Sequence, residues 1–176
     1  MEVMMHVEHG FGPVWDGSSQ VLILGTMPST KSREAGFYYM FPRNRFWPVL
    51  AALLHTPVPR PDPATRRRYA LDHRIALWDV LAECDIQGTS DSSIVNPVPN
   101  DIGLIIRSAP IRHVFTTGRK AGELYRRLCL PLLDRSGLTV PMTCLPSTST
   151  ANAAKHLDDL ILDYRPIVDA LNQQGQ

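Results

Sequence analysis

The sequence predicts an α/β domain built on a mainly parallel sheet, and three observations carry that reading. Apolar runs at 21–24, 111–117 and 138–145 do not alternate with polar residues, as expected of strands buried on both faces. Segments with helical spacing separate them. Each run stops at a chain-turning residue: Gly25, Gly118 and Pro146.

Taken in order, Val21 to Leu24 is a buried strand stopped by Gly25, and residues 46–54 form a short helix closed by the proline-rich segment 57–61. A second helix spans 64 to about 81, with Ala70, Ile75, Leu77, Trp78 and Leu81 on its apolar face; the phase drifts near His73, where a break fits. Residues 85–101 are dominated by Gly, Ser, Asn, Asp and Pro, which fix turns and make this a candidate binding loop. A further strand fits near Ser93 to Val95 or near the N-terminus. Asn100 or Asp101 caps a helix over 102–109. After the strand 111–117 a helix runs over 120–133, with Ala121, Leu124, Leu128 and Leu132 on one side. The strand 138–145 ends at Pro146 and leads through a Ser/Thr loop to a helix over 151–164, whose Ala154, Leu157, Leu160 and Ile161 face inward. A last helical segment follows Pro166 to about Leu171. With no repeat or linker, residues 1–176 are expected to form a single domain.

The composition suits a globular protein: 176 residues, 44% apolar and 20% charged, with a net charge of +1. No apolar stretch approaches the roughly 20 residues of a membrane span. Glu2 and Glu8 stand where a secretory signal carries basic residues, so a cytoplasmic location is expected. Cys84, Cys129 and Cys144 are odd in number and set in apolar patterns, which predicts buried free thiols. His6 and His9 have no carboxylate or cysteine run beside them, and no metal site is expected. Basic residues cluster at 66–68, 119–120 and 126–127; a phosphate-binding surface needs only such a local field, so the near-neutral total leaves nucleic acid open as a partner.

Two Ser/Thr-rich turns follow strands: Gly25-Thr26-Met27-Pro28-Ser29 and Leu145-Pro146-Ser147-Thr148-Ser149-Thr150. Hydroxyls and N–H groups at such a turn bind phosphate, or simply cap the next helix. Neither GxxxxGK[ST] nor GxGxxG is present, which removes most support for nucleotide cofactors. A serine hydrolase built on Ser147 lacks an elbow motif, and His156 falls roughly two turns down the following helix. Between the turns, residues 37–47 read FYYMFPRNRFW. Tyr38, Tyr39, Asn44 and Trp47 are costly to bury unless their polar atoms find partners.

GTMPS, FYYMFPRNRFW and PSTSTAN, together with GTSDSSIVNPVPNDI over 88–102 and FTTGRKA over 115–121, resemble the uracil-DNA glycosylase superfamily. Within it the chain is most similar to the hypoxanthine- and uracil-removing branch close to the mismatch-specific glycosylases, over roughly residues 10–164. The resemblance implies a three-layer α/β/α domain with a central four-stranded parallel sheet. It also implies a monofunctional enzyme that flips a deaminated base (hypoxanthine, uracil or xanthine) out of DNA and hydrolyses its N-glycosidic bond, with no metal or cofactor.

Residue by residue, the likeness carries over with departures. The family's common first motif has a water-positioning Asp or Asn before the proline; here that residue is Met27. In the branch most resembled an asparagine of an Asn-x-Phe-Trp motif takes the role, which implies Asn44 as the catalytic, water-orienting group; a helix cap before Phe46 is the alternative. Tyr39 is implied as the stacking ring, with Tyr38 the substitute. Thr117 stands where relatives often place a base-reading asparagine, and Thr26, Met27, Pro28 and Ser29 complete the implied base site. Ser147, Thr148, Ser149 and Asn152 are implied at the DNA phosphates, Asn152 also bracing its loop, and Arg43 or Arg45 would add phosphate contacts. PSTSTAN lacks the histidine of the best-known uracil enzymes. Lys31, Lys120 and Lys155, the only lysines, show no reason to be desolvated, which argues for water over an amine nucleophile. Two other readings remain open: a non-catalytic or weakly catalytic damaged-DNA-binding protein, and a small-molecule nucleoside hydrolase.

Overall fold

The computed structural model describes residues 3–173, so both ends of the expected 1–176 domain lie outside the described residues. Strands β2 (Val21–Gly25) and β3 (Ile75–Asp79) are buried along their whole length. They pair in parallel, with Gly25 opposite Asp79. Strand β6 (His113–Thr117) lies on the other side of β2, and β7 (Met142–Leu145) beyond it, giving the order β3-β2-β6-β7 with every pair parallel. An isolated antiparallel bridge from Val14 to Leu77 covers the outer edge of β3. A second, antiparallel sheet has the order β1-β4-β5, from Met4–Glu8, Leu81–Gln87 and Val95–Pro99. The α/β reading therefore holds, with a parallel and an antiparallel set of strands.

The two sheets are joined through a single residue, Val80. Its N–H donates to Gly25 O at 2.8 Å, and Leu81 N–H donates to Thr26 O at 3.1 Å. The chain leaving β3 thus holds the turn leaving β2, as buried backbone groups require. Helix α3 (Pro63–Asp72) packs on β3, α5 (Arg119–Leu124) on β6 and β7, and α8 (Arg165–Asn172) on β2. Helix α2 (Phe46–Leu54) packs against α7 (Leu157–Asp163) and α8. The short helices α1 (Thr30–Ala35), α4 (Gly103–Ser108) and α6 (Leu130–Arg135) complete the set.

Several boundaries differ from the sequence reading. The helix expected over 64–81 ends at Asp72, and Ile75 to Asp79 is a central strand. Apolar residues at 75, 77, 78 and 81 match a helical face, but β2 on one side and Val14 on the other claim the backbone of this segment. Within the expected loop 85–101, β4 extends to Gln87 and β5 occupies Val95–Pro99. The strand expected from 138 begins at Met142, and the helix expected from 151 begins at Leu157. Ala154 and Leu157, expected inward, are exposed, as is Leu132. The helix expected over 120–133 is α5 and α6 joined by a π turn at Tyr125–Cys129, where Pro131 cannot donate to the preceding turn. Helix α1 was not anticipated; Ser29 caps its start, and Gly36, at φ 67°, ends it.

Candidate active site

The carboxyl ends of the parallel strands bring the two Ser/Thr turns to one edge. The first is tightly held. Thr26 and Pro28 are buried, and Met27 packs half-buried against the core. Pro28 O accepts from Arg33 Nη1 at 2.8 Å. The Ser29 hydroxyl accepts from Ser32 N at 3.2 Å, so its oxygen serves as the α1 cap.

The aromatic segment divides its tyrosines. Tyr38, 2% exposed, is a core residue whose hydroxyl donates to Gly12 O at 2.8 Å. Trp47 Nε1 donates in turn to Tyr38 O at 3.2 Å, so both polar groups are satisfied. Tyr39 turns the other way through a left-handed backbone, φ 53°. One face of its ring stacks on Phe46, with centroids 3.7 Å apart and an interplanar angle of 14°. Its hydroxyl lies 3.2 Å from Thr117 Oγ1 at the end of β6. Burial, and next the charge of Asp79, push the Tyr39 phenol above its ordinary range, against the Thr117 hydrogen bond, so the hydroxyl keeps its proton.

Asn44 links this segment to the second turn. Its Oδ1 accepts from Phe46 N at 2.9 Å and from Thr148 Oγ1 at 2.9 Å. Those two donors fix which end of the amide is oxygen. The first N–H of helix α2 is thus served by Asn44 from the residue ahead of the cap position, which Arg45 holds, while the contact with Thr148 spans 104 residues of sequence. Arg45, beside it, grips the same loop. Its guanidinium donates to the carbonyls of Thr148 at 3.2 Å, Ser149 at 2.7 Å, Asn152 at 3.1 Å and Lys155. Arg45 is therefore occupied by carbonyl groups, whereas Arg43 is exposed beside the Phe41 ring.

Within the loop, Ser147 Oγ accepts from Ser149 N at 3.1 Å and Ser149 Oγ from Ala151 N at 3.2 Å. Each serine keeps its own O–H to donate. Asn152 Nδ2 donates to Ser147 O at 3.0 Å and so braces the loop. Thr148, 2% exposed, points inward to Asn44, away from the surface a phosphate would approach. A Cβ at Gly118, which has φ 95°, would lie 3.6 Å from Ser147 Cβ, bringing the β6 turn against the loop. A continuous path of contacts thus runs from Thr148 through Asn44, Phe46 and Tyr39 to Thr117.

The sequence reading missed a buried pair at this edge. His9 and Asp79 are 5% and 4% exposed, and His9 Nε2 lies 2.7 Å from Asp79 Oδ2. An acid directly after the apolar run Ile75 to Trp78 was the available signal, hidden by assigning that run to a helix. Nearby, desolvation pushes the Asp91 carboxyl above the ordinary carboxylate range, opposed by Thr26 and then Lys120. On the antiparallel sheet, His6, Glu8 and Glu83 each place a ligand atom within 4.8 Å of the others, but His6 already pairs with Asp85. His9 lies outside that group.

The chain is 32% identical over 147 residues to a hypoxanthine DNA glycosylase of Methanosarcina acetivorans, covering 83% of this chain and 89% of that protein. The chain belongs to the hypoxanthine/uracil-DNA glycosylase branch of the uracil-DNA glycosylase superfamily. A hypoxanthine DNA glycosylase of Methanosarcina barkeri is 30% identical over 117 residues, 66% of this chain and 74% of that protein. A solution NMR structure of a Methanosarcina acetivorans protein, provisionally assigned as a uracil DNA glycosylase, superposes with a TM-score of 0.74 at 30% identity, covering 93% of this chain and 99% of that one. No protein-family model matches the chain. As a member of this branch, the chain holds Asn44 and the Ser147–Asn152 loop in direct contact.

Proposed function

We propose that this chain is a monofunctional DNA glycosylase that hydrolyses the N-glycosidic bond of a deaminated base flipped out of DNA, hypoxanthine, uracil or xanthine, in base-excision repair. The observation that carries the reading is the contact between Asn44 and Thr148, which puts the amide beside a loop with two free serine hydroxyls. The reading takes the chain as one three-layer domain, with this site at the carboxyl edge of its parallel sheet.

Ser147 and Ser149 donate to phosphates flanking the flipped nucleotide, and such contacts offset an unstacking cost of a few kcal/mol. Arg45 acts behind them by fixing the loop carbonyls. The Tyr39 face opposite Phe46 receives the base, and the turn from Thr26 to Ser29, with Thr117, borders it. Asn44 Oδ1 is committed to two donors, which leaves the Nδ2 group for the water. A water accepting from Nδ2–H retains a lone pair for attack at C1′. As the bond breaks, positive charge develops on the sugar and negative charge on the base, where the N–H groups of Thr26, Met27 and Ser29 stabilise it. Amine chemistry is disfavoured: the hydrogen bond from Lys155 to Asp163 raises its pKa, and Lys31 and Lys120 pair with Glu34 and Glu123.

Duplexes carrying a single deoxyinosine, deoxyuridine or deoxyxanthosine, incubated with stoichiometric protein, test this reading. Base release above a buffer control is expected. The occupied Asn44 oxygen favours one competing reading, a DNA-binding protein without efficient turnover. It predicts tight binding to abasic DNA and no release from any of the three substrates.

A further inference from the structure

Gly25 and Asp79 are register partners at the carboxyl ends of β2 and β3. The Asp79 side chain is almost wholly buried, yet its two oxygens have different fates. Oδ2 is taken by His9 Nε2 at 2.7 Å. Oδ1 has no hydrogen-bond donor among the described residues and lies over Gly25, which has no side chain. A methyl group built on Gly25 would meet Asp79 Oδ1 at 2.5 Å, the Tyr39 hydroxyl at 3.5 Å and Thr117 Oγ1 at 3.6 Å. Three oxygens from three segments thus converge over a glycine, beside the turn from Thr26 to Ser29.

Partner accounting defines the charge there. His9 Nδ1 is buried without a partner, on a ring that packs against Phe11 and Tyr38. An imidazolium would leave an N–H orphaned at that atom, whereas the neutral tautomer that donates from Nε2 leaves only a lone pair. Asp79 is then a carboxylate with one satisfied oxygen and one open to a donor. Beside it, burial and then the Asp79 charge hold the Tyr38 and Tyr39 phenols above their ordinary range.

A carboxylate oxygen accepts and cannot donate. Deamination changes a base in the matching sense. Adenine N1 and cytosine N3 are bare acceptors, whereas hypoxanthine N1, xanthine N1 and uracil N3 each carry hydrogen beside a carbonyl. Resting on the glycosylase reading above, we infer that Asp79 is the specificity-determining residue that accepts the lactam N–H of the flipped base. Thr117, which accepts from the Tyr39 hydroxyl at 3.2 Å, can turn its own O–H from Leu24 O, 3.5 Å away, to the adjacent carbonyl, while the Tyr39 ring face stays under the base. Bases with a bare ring nitrogen meet the carboxylate lone pair to lone pair and are rejected. Guanine and thymine also carry the N–H, so Asp79 recognises the lactam and leaves their exclusion to the shape of the site.

Binding to hydrolysis-resistant duplexes tests this apart from turnover. The probes carry 2′-fluoro-deoxyinosine, the 2′-fluoro nucleoside of unsubstituted purine with its bare N1, or a tetrahydrofuran abasic site. The parent protein is expected to prefer the inosine duplex by about 10- to 100-fold, the range of a charged hydrogen bond. Asp79→Asn, whose amide can turn a donor toward a bare nitrogen, should cut that preference at least tenfold while abasic binding, a check on folding, stays within threefold. Gly25→Ala, which puts a methyl against Oδ1, should lose the preference in the same way and keeps the test open if the Asp79 variant does not fold. Equal parental binding of both base-containing duplexes overturns the inference, as does a uniform loss across all three probes in Asp79→Asn, or an unchanged preference in both variants. Failure of the parent to release any deaminated base from the unfluorinated duplexes would sink the glycosylase reading alone.

Discussion

Replacing Asn44 separates its two uses of one side chain. In Asn44→Ala, Phe46 N–H at the start of α2 and the Thr148 hydroxyl both lose their acceptor. Losing the cap costs about 0.5–2 kcal/mol and a buried unsatisfied hydroxyl about 1–3 kcal/mol. Asn44 is only half-buried, so water recovers part of this. The expected destabilisation is about 2–4 kcal/mol, within the roughly 5–15 kcal/mol stability of an ordinary domain. Urea denaturation should show it as a lower midpoint with an unchanged slope. Single-turnover release of hypoxanthine, measured well below the melting temperature with protein in excess, should fall about 10²–10³-fold, the usual effect of removing one preorganised group. Asn44→Asp is the companion. It keeps the oxygen that serves Phe46 and Thr148, and a carboxylate suits a helix N-terminus, so its stability should match the parent within about 1 kcal/mol. It also deletes the Nδ2 donors, and release should drop with it if Nδ2–H holds the water. Release from folded Asn44→Ala within about threefold of the parent would refute the assignment and leave Asn44 as a cap alone.

Three further outcomes are expected. Arg45→Met leaves the Lys155 carbonyl without its donor and takes the side-chain donor from Thr148, Ser149 and Asn152, whose carbonyls keep backbone N–H donors; it should destabilise by about 1–3 kcal/mol and weaken binding to abasic duplex in fluorescence anisotropy, with only partial recovery in Arg45→Lys, whose ammonium lacks the planar fork. Tyr39→Phe keeps the ring on Phe46 but loses the bond to Thr117, so denaturation should report a loss of about 0.5–1.5 kcal/mol. The pH dependence of strand β1 follows from His6 and Asp85. The Asp85 hydrogen bond holds His6 above its ordinary 6.5, so this contribution is full below that pH and fades as pH rises through the raised value. Asn96 and then His6 hold Asp85 below its ordinary 3.8, so its contribution is full above that pH and fades as pH falls through the depressed value. Amide-exchange protection of β1 relative to β2 should therefore be greatest between 3.8 and 6.5, and Asp85→Asn should remove that maximum.

The residues alone determined the parts of this protein governed by local chemistry. Val21 to Leu24 could only be a buried strand, and the Phe46–Leu54 helix was legible in its apolar spacing and the prolines beyond it. Cys84 and Cys129 are buried as expected, burial holding the Cys129 thiol up at about 12, whereas Cys144 is only half-buried. The need of Tyr38 and Trp47 for polar partners was also visible, because the cost of burying their polar atoms does not depend on the fold. The motifs carried the family, since each is a run of adjacent residues.

Tertiary structure decided whatever depends on two distant segments meeting. Ile75 to Asp79 satisfies helical spacing as written and becomes a strand because β2 supplies hydrogen bonds along its length. Residues 85–101 look like turns until β1 and β4 offer an edge to pair with. Whether Arg45 faces phosphate or protein was equally open, and the carbonyls of a loop a hundred residues away settled it. Asp79 is an unremarkable acid in the chain; register beside Gly25 and the approach of His9 turn it into a buried carboxylate with one free oxygen. Sequence pattern fixes the composition of a face, whereas the partner of each polar atom is chosen only when the chain closes on itself.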